Sequence, residues 1–137
     1  MLSPEQLALL KTNAVISVVD DDESIRNSLK RLLRSTGFEV TIFPSAREFL
    51  HQRPLNKHGC VIVDVRMPGM DGLDLQKLLS DSGISLPVVF MTAYEDPYVR
   101  SRAMEAGALA FLLKPFSDTS LMDIIWLALK HSQHFSG

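Results

Sequence analysis

The sequence predicts an α/β fold, a doubly wound five-stranded parallel sheet with helices on both faces, and three observations carry that prediction. Short apolar runs of strand length alternate with amphipathic helical stretches five times along the 137 residues. The central run, Val61-Ile62-Val63, is β-branched with no polar interruption before Asp64, as a strand covered on both faces requires. The connections are short, so each helix serves as the crossover that returns the chain to the same end of the sheet.

Residues 1–13 form an amino-terminal extension, in which Ser3-Pro4-Glu5-Gln6 reads as a helix start: a capping serine, proline at the first position and Gln6 three residues after the cap. Ala14 to Val19 is the first strand and runs into four consecutive acids, Asp20 to Glu23. From Ser24, Ile25, Leu29, Leu32 and Leu33 recur at helical spacing, with Arg26, Lys30, Arg31 and Arg34 on the other side, until Gly37. Phe38 to Phe43 is the second strand. Ser45-Ala46-Arg47-Glu48 reads as a capping box opening a helix through Gln52, and a loop around Pro54 to Gly59 follows.

Val61 to Val65 is the central strand, with Asp64 near its end; Pro68, Gly69 and Gly72 then turn the backbone. Leu73 to Leu79 is a helix with Leu75, Leu78 and Leu79 on one face. Pro87 to Met91 is a strand ending at Thr92-Ala93. Asp96-Pro97 caps a helix carrying Val99, Ala103 and Ala106 inward until Gly107. Ala108 to Leu113 is the fifth strand, ending at Lys114-Pro115, and a last helix from Asp118 to His131 presents Leu121, Ile124, Ile125, Ala128 and Leu129. Residues 14–131 are thus one domain, and 132–137 a tail or the start of a linker.

Composition narrows the function. With 46% hydrophobic residues the chain can bury one proper core. A net charge of -2 and a pI near 6.0 supply no basic field for a phosphate backbone, which argues against direct nucleic-acid binding. No apolar run approaches the ~20 residues that span a bilayer. The expected location is the cytoplasm, and the lone Cys60 reads as a buried small apolar residue.

In a parallel sheet every strand ends at the same rim, so Asp20, Asp21, Asp64, Thr92 and Lys114 should converge. Two carboxylates about 4 Å apart repel by roughly 4 kcal/mol at an effective dielectric near 20. Three acids therefore call for protonation or a cation, and an all-oxygen donor set suits magnesium better than zinc. A carboxylate, Mg²⁺, a hydroxyl and an ammonium are the parts for accepting a phosphoryl group.

These motifs carry a resemblance. Val19-Asp20-Asp21-Asp22-Glu23, Val63-Asp64-Val65-Arg66-Met67-Pro68-Gly69-Met70-Asp71-Gly72, Met91-Thr92-Ala93 and Phe111-Leu112-Leu113-Lys114-Pro115-Phe116 together resemble the receiver domain of two-component response regulators. The resemblance implies a flavodoxin-like sheet of order 2-1-3-4-5 and an aspartyl phosphate on Asp64, formed from a sensor histidine kinase or phosphotransfer protein. It implies Mg²⁺, with Mn²⁺ able to substitute, held by Asp21, Asp20, Asp64 and the backbone carbonyl of Arg66. Thr92, Ala93 and Lys114 would bind the phosphoryl oxygens, and Thr92 and Phe111 would switch. A cis bond before Pro115 is a further expectation. Asp22 stands where the family commonly has glutamate.

Met122 and Trp126, four apart at the edge of the last helix's stripe, read equally as packing residues near the amino-terminal extension or as an interface for a second copy or output domain. The family uses its fourth helix, fifth strand and fifth helix for such a phosphorylation-dependent homodimer, and commonly controls transcription through a helix-turn-helix output domain. His51, His58, His131 and His134 lack paired metal spacing and read as surface residues in loop, helix or tail. The rival class is a magnesium-dependent phosphatase with Asp64 as nucleophile. Such enzymes usually carry a second acid two residues on, where this chain has Arg66. A degenerate receiver acting as a constitutive binding module is disfavoured because every reacting residue is present.

Overall fold

A computed structural model describes residues 3–6, 8, 14–52 and 58–136. Its strands are β1 (Ala14–Val19), β2 (Glu39–Phe43), β3 (His58–Asp64), β4 (Val88–Thr92) and β5 (Ala110–Leu113). The helices are α1 (Glu23–Ser35), α2 (Ala46–Gln52), α3 (Gly72–Asp81), α4 (Pro97–Glu105) and α5 (Asp118–Ser136). All strand pairs are parallel, in the order β2-β1-β3-β4-β5.

Strand alternation splits the core into two layers. Ile16 and Val18 of β1 and Cys60 and Ile62 of β3 face Leu29 and Leu33 of α1 and Leu121, Ile125 and Leu129 of α5. Val19, Val61 and Val63 face the other way, toward Phe49 of α2, Leu75 and Leu79 of α3 and Ala103 of α4. Every residue of β1 is buried, which explains why its sequence lacks any polar face. Cys60 is 1% exposed, and burial pushes its thiol up to about 12.

Helix starts follow from local chemistry. Asp22 caps α1, accepting from Ser24 N and Ile25 N, and Asp96 caps α4, where Pro97 takes the first position. Ser45 Oγ accepts from Glu48 N at 3.2 Å. At the amino terminus Ser3 Oγ accepts from Gln6 N, and Gln6 Oε1 accepts from Ser3 N, the reciprocal pair expected there.

Several expectations shift. Leu78 is 41% exposed, and the inner face of α3 is formed by Gly72, Leu75, Gln76 and Leu79. Spacing alone leaves the phase of a leucine-rich helix open, and the residue at Gln76 takes the inward position. Ala106 is exposed because it is the C-cap of α4, one residue beyond the last full turn. β5 begins at Ala110 rather than Ala108, since Leu109 N is the first amide to reach across, to Val88 O. His58, expected in a loop, is the first residue of β3. The last helix continues five residues past His131, to Ser136, where a tail was expected. The loop at 53–57, most of the extension and the side chain of His134 lie outside what is described.

Candidate functional site

The strand ends bring Asp20, Asp64, Thr92 and Lys114 to one rim. Asp20 and Asp64 follow or end the paired strands β1 and β3, in register at Val19 and Val63. Lys114 follows β5, and its N–H donates to Thr92 O at 2.7 Å, which anchors the lysine beside the end of β4. From there Lys114 Nζ reaches Asp20 Oδ2 at 2.9 Å and Asp64 Oδ2 at 2.5 Å. The remaining carboxylate oxygens are held by the backbone: Asp22 N donates to Asp20 Oδ1 at 2.9 Å, and Arg66 N to Asp64 Oδ1 at 2.7 Å. Each carboxylate is thereby oriented by its own chain two residues on.

Burial distinguishes the two acids. The Asp20 side chain is 1% exposed and that of Asp64 12%. Burial raises the carboxyl of Asp20 above its ordinary value, against the opposing pull of the Asp22 amide and the Lys114 ammonium. Burial pulls Lys114 down, but its bonds to Asp64 and Asp20 outweigh this and leave its ammonium held above the usual range. Lys114 is therefore charged throughout the neutral range, and it neutralises one carboxylate of the pair.

Asp21 differs from the sequence expectation. It is exposed, and among the described residues no three His, Cys, Asp or Glu side chains are grouped to hold a metal. The electrostatic load at the rim is thus two acids sharing one ammonium, with the third acid solvated. The donor chemistry still suits a hard divalent ion: the four oxygens of Asp20 and Asp64 each accept one bond and keep a second lone pair.

The loop after β3 is tightly built. Gly72 N donates to Val65 O at 3.1 Å, and Met67 is buried beneath the turn. A Cβ on Gly72 would lie 2.6 Å from Asp64 O and 2.9 Å from the Phe90 ring, so only glycine lets α3 start this close to the end of β3. Asp71 and Asp74 form a reciprocal capping box at that start. The spacing Asp-Gly-Leu-Asp could have revealed it.

The β4 side is looser. Thr92 Oγ1 donates to Tyr94 O at 3.1 Å and accepts from Tyr94 N at 3.2 Å, a closed local turn that keeps the hydroxyl occupied. Ala93 is exposed and Tyr94 is 67% exposed. The guanidinium of Arg66 lies 5.4 Å from the Tyr94 ring centroid, bridging the loops after β3 and β4. Phe111 is half-buried, its ring centroid 5.7 Å from that of Phe90 and 6.0 Å from the guanidinium carbon of Arg100.

Two further contacts escaped the sequence. Arg26, assigned to the outer face of α1, folds back so that Nη1 donates to Asp20 O at 2.8 Å. Gln76 is buried and its Nε2 donates to Ala103 O at 3.0 Å, tying α3 to the end of α4. Met122 and Trp126 are half-buried against the α1–α5 layer, and the Trp126 ring lies 5.1 Å from that of Phe38. Among the described residues the large exposed apolar side chains on α4, β5 and α5 are instead Met104, Leu113 and Leu127, with Tyr98 alongside.

Comparison with known proteins agrees with this geometry. Residues 16–126 match the family model of the response regulator receiver domain. Nodulation protein W of Bradyrhizobium diazoefficiens is 43% identical over 122 residues, covering 89% of this chain and 54% of that protein. Transcriptional regulatory protein TdiR of Thauera aromatica is 42% identical over 116 residues, 85% of this chain and 51% of that one. The solved structure of the response regulator StyR superposes with a TM-score of 0.86 at 44% identity, over 90% of this chain and 63% of that chain. The chain spans about half the length of the curated relatives it matches. On the family match and on these relatives, the chain belongs to the response regulators as a receiver domain.

Proposed function

We propose that Asp64 accepts a phosphoryl group and that the resulting aspartyl phosphate switches the α4–β5 side of the domain. The observation that carries this is the placement of the Asp64 carboxylate: at the end of a buried strand, partly exposed, with one oxygen on the Lys114 ammonium and the other on the Arg66 amide. Such a carboxylate is oriented and reachable, as an attacking nucleophile must be.

In the proposed reaction an Asp64 oxygen attacks phosphorus while the bond from phosphorus to a nitrogen of the kinase's or phosphotransfer protein's histidine breaks, the electron pair leaving with the imidazole. Lys114, already beside Asp64, donates to a non-bridging phosphoryl oxygen. Receiver domains use Mg²⁺, and here Asp20, Asp21, Asp64 and the Arg66 carbonyl would hold it, where it neutralises phosphoryl charge. The backbone N–H of Ala93 and the hydroxyl of Thr92 would take further oxygens. For Thr92 this means releasing Tyr94 O, a bond worth about 0.5–1.5 kcal/mol, so capture of the phosphoryl oxygen and release of the β4–α4 loop are one event. Phe111 then moves into the space vacated. Hydrolysis reverses the state when water attacks phosphorus and the Asp64 carboxylate leaves, which makes the domain an agent of its own dephosphorylation.

The relatives named as transcriptional regulators suggest that the switched face, with Leu113 and Leu127 exposed, pairs with a second copy and controls a helix-turn-helix output domain. Incubation of the chain with acetyl phosphate and Mg²⁺ or Mn²⁺ tests the chemistry. One hydroxylamine-labile, acid-resistant phosphoryl group per chain is expected, absent from Asp64→Asn. Undiminished labelling of that variant would overturn the proposal, and rapid multiple turnover of phosphate esters would point to a phosphatase instead.

A further inference from the structure

At the opposite end of the sheet from Asp64, where β4 and β5 begin, lies a cavity of about 380 Å³. Its walls come from the end of α3, the segment Ile84–Val88, the residues Ala106–Leu109 after α4, and His131 of α5. The walls are largely apolar, with Leu79, Ile84, Leu86 and Leu109 among them. Gln76 also lines it, although its side chain is buried, the whole residue being 5% exposed.

The amide of Gln76 is half satisfied. Its Nε2 donates to Ala103 O at 3.0 Å, and that acceptor fixes which end of the amide carries nitrogen. Among the described residues no donor meets Oε1. An acceptor this buried and without a partner costs about 1–3 kcal/mol, and native proteins rarely tolerate it without a ligand or an ordered water.

We propose that this cavity is a binding site for a small neutral ligand, of about one or two fused aromatic rings, bearing an N–H or O–H donor that bonds Gln76 Oε1. The size fits: binding pockets for small molecules run from about 300 Å³ upward, mostly apolar with few polar groups that fix orientation. The neighbouring contacts give the ligand something to act on. Ala103 O also accepts from Ala108 N at 3.0 Å, so Gln76 and the cavity's own wall share the carbonyl that closes the last turn of α4. A ligand on Gln76 therefore braces α4 at its far end. Binding itself does not depend on phosphorylation of Asp64.

Indole and benzofuran, isosteric and differing in the N–H donor, are the probes. Titrated into ¹⁵N-labelled chain, indole is expected to give saturable shifts at Gly107, Ala108, Leu109 and the Gln76 side-chain amide. Benzofuran should bind about tenfold more weakly, the worth of one buried hydrogen bond. Gln76→Met should remove that preference while leaving benzofuran binding in place, and Ala106→Trp, at an exposed wall position, should block both. Asp64→Asn should bind indole as the parent does, so failure of the phosphorylation proposal leaves this one standing. Equal affinity of the two probes, shifts away from the cavity, or no saturable indole binding would overturn the site and leave an ordered water as the partner of Gln76.

Discussion

The two halves of the rim are built to different tolerances. On the β1–β3 side, every carboxylate oxygen of Asp20 and Asp64 has a bond, the loop after β3 is anchored by Met67 and Gly72, and α3 buries four residues. On the β4–β5 side, α4 buries only Ala103, β5 is a four-residue edge strand, and Tyr94, Leu113 and Phe111 are exposed or half-buried. The difference teaches how a small domain can separate chemistry from response: the half that holds the two carboxylates has little freedom, and the half proposed to change shape has few contacts to lose.

Lys114 joins the halves, and removing it should have the largest effect. Lys114→Met is expected to slow phosphorylation of Asp64 by roughly 10²–10³-fold, the scale for losing one charge-stabilising donor, measured as the initial rate of acetyl phosphate labelling. A loss under threefold would show that the lysine does not serve the reaction. Gly72→Ala strikes the rigid half alone: overpacking against Asp64 O and Phe90 should cost about 1–3 kcal/mol in urea unfolding. An unchanged midpoint would mean that α3 can shift freely, which contradicts the contrast drawn between the halves.

Acid pH probes the buried carboxyl of Asp20. Burial lifts the carboxyl of Asp20 above 3.8, so the folded protein takes up its proton before the unfolded chain does. Stability from this group therefore grows as pH falls through its folded value toward 3.8, and is lost as pH rises again. Asp20→Asn lacks that gain, so any advantage it holds at neutral pH should narrow on acidification. Parallel stability curves for variant and parent would show that the Asp20 carboxyl is not perturbed.

The smallest effect belongs to the mobile half. Thr92→Val removes both bonds to Tyr94 and should destabilise the domain by only about 1 kcal/mol. Amide exchange in α4 should quicken in that variant while α3 stays protected, and uniform quickening would count against independent halves.

Much of this was legible in the chain. The apolar runs of β1, β3 and β4 specify buried strands, and Asp64, Thr92 and Lys114 can be placed at one rim because each follows or ends an apolar run of strand length. Periodicity gives an amphipathic face without its phase, which is why the inner face of α3 escapes it. Leu78 was read as inward and Gln76 not read at all, although the fold turns the polar residue in, where a carbonyl of α4 meets it. Similarly, four consecutive acids do not reveal that Asp20 is swallowed by the sheet while Asp21 remains in water. That distinction depends on strand register, which only three-dimensional pairing fixes.

The thiol in the central strand has a practical consequence. Cys60, the third residue of β3, is 1% exposed, and burial pushes its thiol up to about 12. A disulfide reagent at neutral pH meets no thiolate until the middle of the sheet parts. The rate at which the single thiol is captured thus times whole-molecule opening, giving a built-in clock for comparing every variant above without adding a label.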